Sequence, residues 1–318
     1  MITIEKNIVD WLKVLAALAV LLTHYGGYAM TQECLSSNFN YLIGGGLTYL
    51  DPVAIFFFLS GYGLMESEKR RHLTTSQFVG RRLSKVYVPV LIATALWLPV
   101  YLISINTEPL SVGKIMLLLT VDFADGALWF IKSLLLLYIA FHVFTLVQSR
   151  NTAVGVLVFF GLTALAQLLT HEYIASFSSY TVMMFFIGAI SSRFARKGNA
   201  VANVATMVLA VYAISGYMIY HSLILLCNCL VLIALTIMCN YMSKRQLRLI
   251  ACPSLLLALS FDIYLTHYKL LSYISNQALA PSLVFFLALS IAAALMLYIL
   301  RTRIATFGKC LRVRVEGR

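Results

Sequence analysis

Residues 8–28 read IVDWLKVLAALAVLLTHYGGY, and this run sets the terms for the whole chain. It is apolar and long enough to cross a bilayer, which takes about 20 helical residues. Yet it carries Asp10, Lys13 and His24. An Asp, Lys or Arg at the centre of a spanning helix costs roughly 2.5–3.5 kcal/mol on insertion scales, so such residues are retained where they work. At about 100° per residue, the spacing of Lys13 and His24 places them within about 20° of one helix face, about 16 Å apart along the axis. Asp10 precedes Lys13 by one turn and is placed to pair with it. One face of the first helix thus carries a polar stripe.

The remainder of the chain repeats the apolar pattern. Of 318 residues, 61% are hydrophobic and 11% charged, a composition outside the range of soluble domains. Reading the apolar runs by length gives about ten helices, near 8–28, 47–65, 86–105, 127–148, 152–170, 179–195, 200–217, 219–241, 249–270 and 281–300. The expected fold is all-α: a single polytopic membrane domain over residues 1–318, with both termini cytoplasmic. Threaded this way, all of the 24 basic residues except Lys114, Lys132 and Lys269 fall on the cytoplasmic side, as the positive-inside rule requires. That rule also accounts for the net charge of +12 without nucleic acid as a partner. The first run is too long and too charged for a cleavable signal and reads as a retained helix. Ser111 to Gly126 is apolar but short, a re-entrant or interfacial piece in this reading. The cysteines follow neither a metal-ligand spacing nor a disulfide framework, and no metal is expected.

His24 is the leading candidate for chemistry. A buried neutral imidazole can take a proton from a hydroxyl; the bland alternative is a histidine that hydrogen-bonds a neighbouring helix. The Asp10–Lys13 pair can serve the same site or anchor the helix end at the headgroups. A second cluster, Phe56-Phe57-Phe58-Leu59-Ser60-Gly61-Tyr62-Gly63, offers small residues for close helix contact or for a break. After it comes Arg81-Arg82-Leu83-Ser84-Lys85-Val86-Tyr87-Val88-Pro89, whose cations suit phosphates or simply set topology.

Taken in order, these segments resemble the integral-membrane acyltransferase three family. Asp10 through His24 is similar to its first-helix motif of Asp-x-x-Arg, an apolar stretch and His. Phe56 to Gly63 resembles its Phe-Phe-x-x-Ser-Gly-Phe helix, and Arg81 to Pro89 its Arg-Arg-x-x-Arg-x-x-Pro segment. Leu128-Trp129-Phe130 resembles its Leu-Trp-Phe helix, and Phe186-Ile187-Gly188 its later Phe-x-x-Gly turn. Ser260-Phe261-Asp262-Ile263-Tyr264-Leu265-Thr266-His267 is similar to its Ser-Tyr-x-x-Tyr-Leu-x-His. The chain departs from the pattern at Lys13 and Lys85, which keep the charge of the usual arginine but lose its bidentate fork.

The resemblance implies a multi-pass O-acyltransferase of the bacterial inner membrane. Family members take an acyl group from a cytoplasmic coenzyme A thioester and place it on a sugar. For this chain it implies acetyl-CoA as cosubstrate with no tightly bound cofactor. The acceptor would be a surface glycan or its lipid-linked precursor, and membrane lipids would surround the helices. His24 would be catalytic, with Lys13 and Asp10 assisting, and Arg81, Arg82 and Lys85 would hold the donor's phosphates. Ser60, Trp129, Tyr264 and His267 would contact the acceptor; an interfacial aromatic belt is the alternative for Trp129, Tyr264 and His267. The rival class is a transporter or exporter, since intramembrane charges also mark transport paths.

Overall fold

A computed structural model describes residues 6–31, 52–104, 129–148, 151–171, 179–194, 251–276 and 282–316. Among the described residues the secondary structure is helical, with no strand. In chain order the elements are α1 (Lys6–Thr31), α2 (Pro52–Arg70) and α3 (Thr75–Arg82), then a π-helical segment (Leu83–Tyr87) and α4 (Val88–Ser104). These are followed by α5 (Trp129–Gln148), α6 (Thr152–His171), α7 (Ser179–Phe194), α8 (Ser254–Asn276) and α9 (Leu283–Glu316). Asn7–Ala29, Trp129–Gln148 and Leu283–Phe307 are long and apolar enough to cross a membrane, and Thr152–Leu165 and Val182–Arg193 are shorter apolar helices. The chain is an all-α membrane protein. The expected spans 200–217 and 219–241, and the segment Ser111 to Gly126, lie outside the described residues.

Several boundaries differ from those read off hydropathy, each for a local reason. α2 starts at Pro52, a residue suited to the first helical position because its missing N–H would be unpaired there anyway. It continues past the apolar run to Arg70 because its polar end is held. Glu66 pairs with Lys69 at 2.9 Å, Ser192 Oγ donates to Glu66 Oε1 at 2.7 Å, and Lys69 Nζ donates to the Ser192 carbonyl at 2.5 Å. A lysine thus caps the C-terminal turn of α7, where carbonyls are left over. The polar connection after α2 contains the short helix α3, capped by Thr74 Oγ1, which accepts from the Gln77 N–H at 3.4 Å. Asn151 does the same for α6, accepting from the N–H groups of Ala153 and Val154 at 3.0 and 3.2 Å.

Helical structure runs without a break from α3 into α4, and the π segment absorbs Pro89. A proline in an α-helix clashes with the carbonyl four residues back, here that of Lys85 within the widened turn. The Val88 N–H reaches instead to the Leu83 carbonyl, five residues back. Such single widened turns recur at functional sites.

The expected Phe-x-x-Gly turn at Phe186-Ile187-Gly188 lies inside the continuous helix α7. Its glycine serves a helix crossing. A Cβ on Gly188 would overlap the Phe58 carbonyl oxygen and lie 2.9 Å from its carbon; a Cβ on Gly61 would overlap the Phe185 carbonyl oxygen and lie 2.9 Å from its carbon. The two glycines let the backbones of α2 and α7 touch reciprocally, so α2 is packed closely rather than broken. Each obstruction is backbone and cannot swing aside. Gly61→Ala and Gly188→Ala are each expected to destabilise by about 1–3 kcal/mol, the usual cost of overpacking. Gly63→Ala, which meets nothing within 4 Å, should be neutral or stabilising. Thermal unfolding in detergent measures all three; equal midpoints for Gly61→Ala and Gly63→Ala would remove the crossing from the account.

Two apolar clusters form the interior. The larger joins α2, α5 and α7 with Val20 of α1, Phe78 of α3, Phe159 of α6, Tyr264 and Leu265 of α8 and Leu297 of α9. The smaller joins Leu21, Tyr25, Tyr28 and Ala29 of α1 to Leu270, Leu271 and Ile274 of α8 and Phe286 of α9. It lies where the C-terminal halves of α1 and α8 meet.

Candidate active site

The polar stripe of α1 faces α8. At the start of the stripe, the Cys252 N–H donates to Asn7 Oδ1 at 2.6 Å. Further along, His24 meets His267. Asn7 and Cys252 at one level, with His24 and His267 at another, make α1 and α8 parallel neighbours. Lys13 lies between these levels and is half-buried. The opposite side of α1 carries Leu15 and Leu18, 55% and 44% exposed, as a lipid-facing side would. His24 is therefore sheltered between two helices, the arrangement that makes intramembrane polar groups tolerable.

The centre of the site is the histidine pair. His24 Nδ1 and His267 Nε2 are 3.0 Å apart, and the rings lie nearly end to end, 26° from coplanar, with centroids at 5.1 Å. His267 is fully buried, and its Nδ1 is 2.9 Å from the Ile263 carbonyl. Tyr268 packs its ring edge-on to His24 at 5.3 Å. Tyr264, one turn before His267, is 5.8 Å from it and leads into an aromatic wall. Its ring meets Phe130 at 5.2 Å and Phe56 at 6.3 Å; Phe130 meets Phe57 at 4.8 Å, and Phe57 meets Trp129 at 6.0 Å. The structure thus brings His24, His267, Tyr264 and Trp129 into one region. Ser60 lies one turn beyond Phe56 on the same face of α2 and is half-buried beside the Gly61 crossing.

The basic group separates. Arg81 and Lys85 are exposed, whereas Arg82 turns inward, its guanidinium 5.3 Å from the Tyr138 ring centroid and 5.4 Å from that of Phe78. Its Nε is buried without a hydrogen-bond partner. Tyr138 lies about 12 Å along α5 from Phe130, so these cations occupy a different level from the histidines. Phe78 also stacks on His142 at 4.8 Å, and His142 Nε2 contacts Thr75 Oγ1 at 3.0 Å. His142, with no partner legible in the sequence, docks α3 onto α5.

A further pair was not legible either. Arg301 of α9 donates to Asp262 Oδ2 at 2.9 Å, with the Asp262 side chain fully buried and that of Arg301 24% exposed. The other carboxylate oxygen, Oδ1, is buried without a hydrogen-bond partner. Asp262 lies about 7.5 Å along α8 from His267, on the side that packs on α9.

These features define a helical membrane protein in which half-buried His24 of α1 meets fully buried His267 of α8. Residues 6–301 match the acyltransferase three family of membrane O-acyltransferases, described as an acyltransferase domain, and the chain belongs to that family. It is an acyltransferase. No curated protein and no solved structure matches the chain.

Proposed function

We propose that this chain transfers an acetyl group from cytoplasmic acetyl-CoA to a sugar hydroxyl of a surface glycan or its lipid-linked precursor, in the inner membrane of a bacterium. It would cross that membrane ten times with both termini inside. The parallel course of α1 and α8 supports this threading, which makes them the first and ninth spans. The observation that carries the chemistry is the position of His24. By its resemblance it would be the family's first-helix histidine, and it presents an imidazole within the seam between α1 and α8.

In this reading His24 takes the proton of the sugar hydroxyl, whose oxygen attacks the thioester carbonyl carbon. The carbon–sulfur bond then breaks, and the thiolate receives the proton from the imidazolium. An acyl-histidine relay, in which the imidazole itself attacks first, is the covalent variant. Lys13, on the same face, would stabilise charge on the thioester oxygen, and Asp10 would hold Lys13. Arg81, Arg82 and Lys85 would receive the phosphates of coenzyme A, at a level from which the pantetheine arm extends toward His24. Trp129, half-buried at the start of α5, would offer a ring face to the acceptor sugar, with Tyr264 buried behind it beside His267.

The test is reconstitution of the full chain in lipid vesicles with acetyl-labelled coenzyme A and isolated surface glycan. Label is expected in the glycan as an alkali-labile ester. Solute uptake into the vesicles with no ester formed would favour a transporter and end this proposal.

A further inference from the structure

We infer that His267 is a positioning residue that holds the proton of His24 on Nδ1 and leaves Nε2 as its basic nitrogen. The inference deepens the reading of His24 as the transfer base and rests on it for the kinetic consequence, but its structural part stands separately. The Ile263 carbonyl, 2.9 Å from His267 Nδ1, can only accept, so that nitrogen bears the hydrogen. A neutral imidazole carries one N–H, so His267 Nε2 is an acceptor. His24 Nδ1, 3.0 Å away, must then donate to it. One N–H being spent there, Nε2 of neutral His24 holds the free lone pair.

A doubly protonated His267 would reverse this order. It would also bury a cation in a fully enclosed position, where the carboxylate on the same helix, Asp262, is already held by Arg301. The rings around the pair, Tyr264 and Tyr268, supply no formal negative charge. Both nitrogens of His267 are engaged, by Ile263 and by His24, so its contribution to the acceptor is made through His24.

The consequence follows the proton. Nε2 receives it from the hydroxyl and returns it to the leaving thiolate. Nδ1–H remains with His267 throughout, and its hydrogen bond strengthens while His24 is cationic. The free histidine side chain prefers its hydrogen on Nε2, so the pair selects the less favoured tautomer. This is the orienting role that a partner to a catalytic histidine commonly takes.

Two measurements on the full chain in lipid test it. The first is nitrogen-15 magnetic resonance of protein labelled at the histidine rings, with the His24 signals identified by their loss in His24→Asn. Nδ1 should resonate as the protonated nitrogen, and His267→Ala should move the hydrogen to Nε2. The second is acyl transfer. His267→Ala should lower kcat by about 10²-fold, the scale of a misplaced reacting group, with KM for the donor little changed. His267→Gln, whose amide oxygen accepts from Nδ1–H, should recover about tenfold of that. A wild-type His24 protonated on Nε2, or a kcat for His267→Ala equal to wild type, would overturn the inference. If the nitrogen signals are as expected while the wild-type protein acylates nothing, the tautomer assignment stands and the proposed function fails.

Discussion

Replacing His24 by asparagine is expected to lower acyl transfer by about 10²- to 10⁴-fold, the range that a positioned general base supplies, while leaving the fold intact. The choice of asparagine matters. Its amide N–H stands in for Nδ1–H and keeps a donor toward His267 Nε2, but it takes up no proton at neutral pH. His24→Ala removes both functions. It also leaves the buried His267 nitrogen unpaired, at a cost of about 1 kcal/mol for an interhelical hydrogen bond in a membrane. A 10²- to 10⁴-fold loss corresponds to about 2.7–5.5 kcal/mol in activation free energy, well above that packing cost. The two variants should therefore be equally inactive and differ only slightly in melting temperature. If His24→Asn retained more than about a tenth of the wild-type rate, His24 would be a helix-bridging histidine and the base would lie elsewhere. Measuring transfer per folded molecule, with abundance read from the same membranes, makes the comparison direct.

Much of this site was legible in the sequence because helix periodicity is local. The spacing of Lys13 and His24 placed them on one face, and the structure turns that face toward α8. The partner was not legible. His24 and His267 stand 243 positions apart, and no local pattern states which of several apolar helices packs against α1. His267 was visible as a candidate through its Tyr-Leu-x-His setting, but its full burial and its bond to Ile263 depend on three-dimensional packing. The glycines illustrate the same limit. Gly61 and Gly63 look alike in sequence, yet one sits against backbone and the other in open space. The π segment had one local sign, Pro89, whose ring cannot fit an ordinary turn. Charge counting placed Arg81, Arg82 and Lys85 together. It could not say that Arg82 alone turns onto Tyr138.

Arg301 was legible only as the first residue of a basic tail, and its removal is expected to have the largest effect on stability. Arg301→Met leaves the Asp262 carboxylate fully buried, with Oδ1 already lacking a partner. Breaking a buried pair from one side typically costs about 3–5 kcal/mol, because the remaining charge is uncompensated. The exposure of Arg301 allows some solvation of the charge and sets the expectation at the lower end. The double variant Asp262→Leu/Arg301→Met should recover most of that loss, since apolar replacement of a buried pair is often neutral. Thermal unfolding of the four proteins gives the coupling directly. If Arg301→Met melted like the wild type, Arg301 would be no more than a solvated charge at a membrane boundary. The pair also bears on the histidines. Asp262 fixes α8 against α9, and α8 carries both Tyr264 and His267 toward α1. Recovery of stability in the double variant without recovery of transfer would mean that the ion pair sets the rotation of α8, which apolar packing alone does not reproduce.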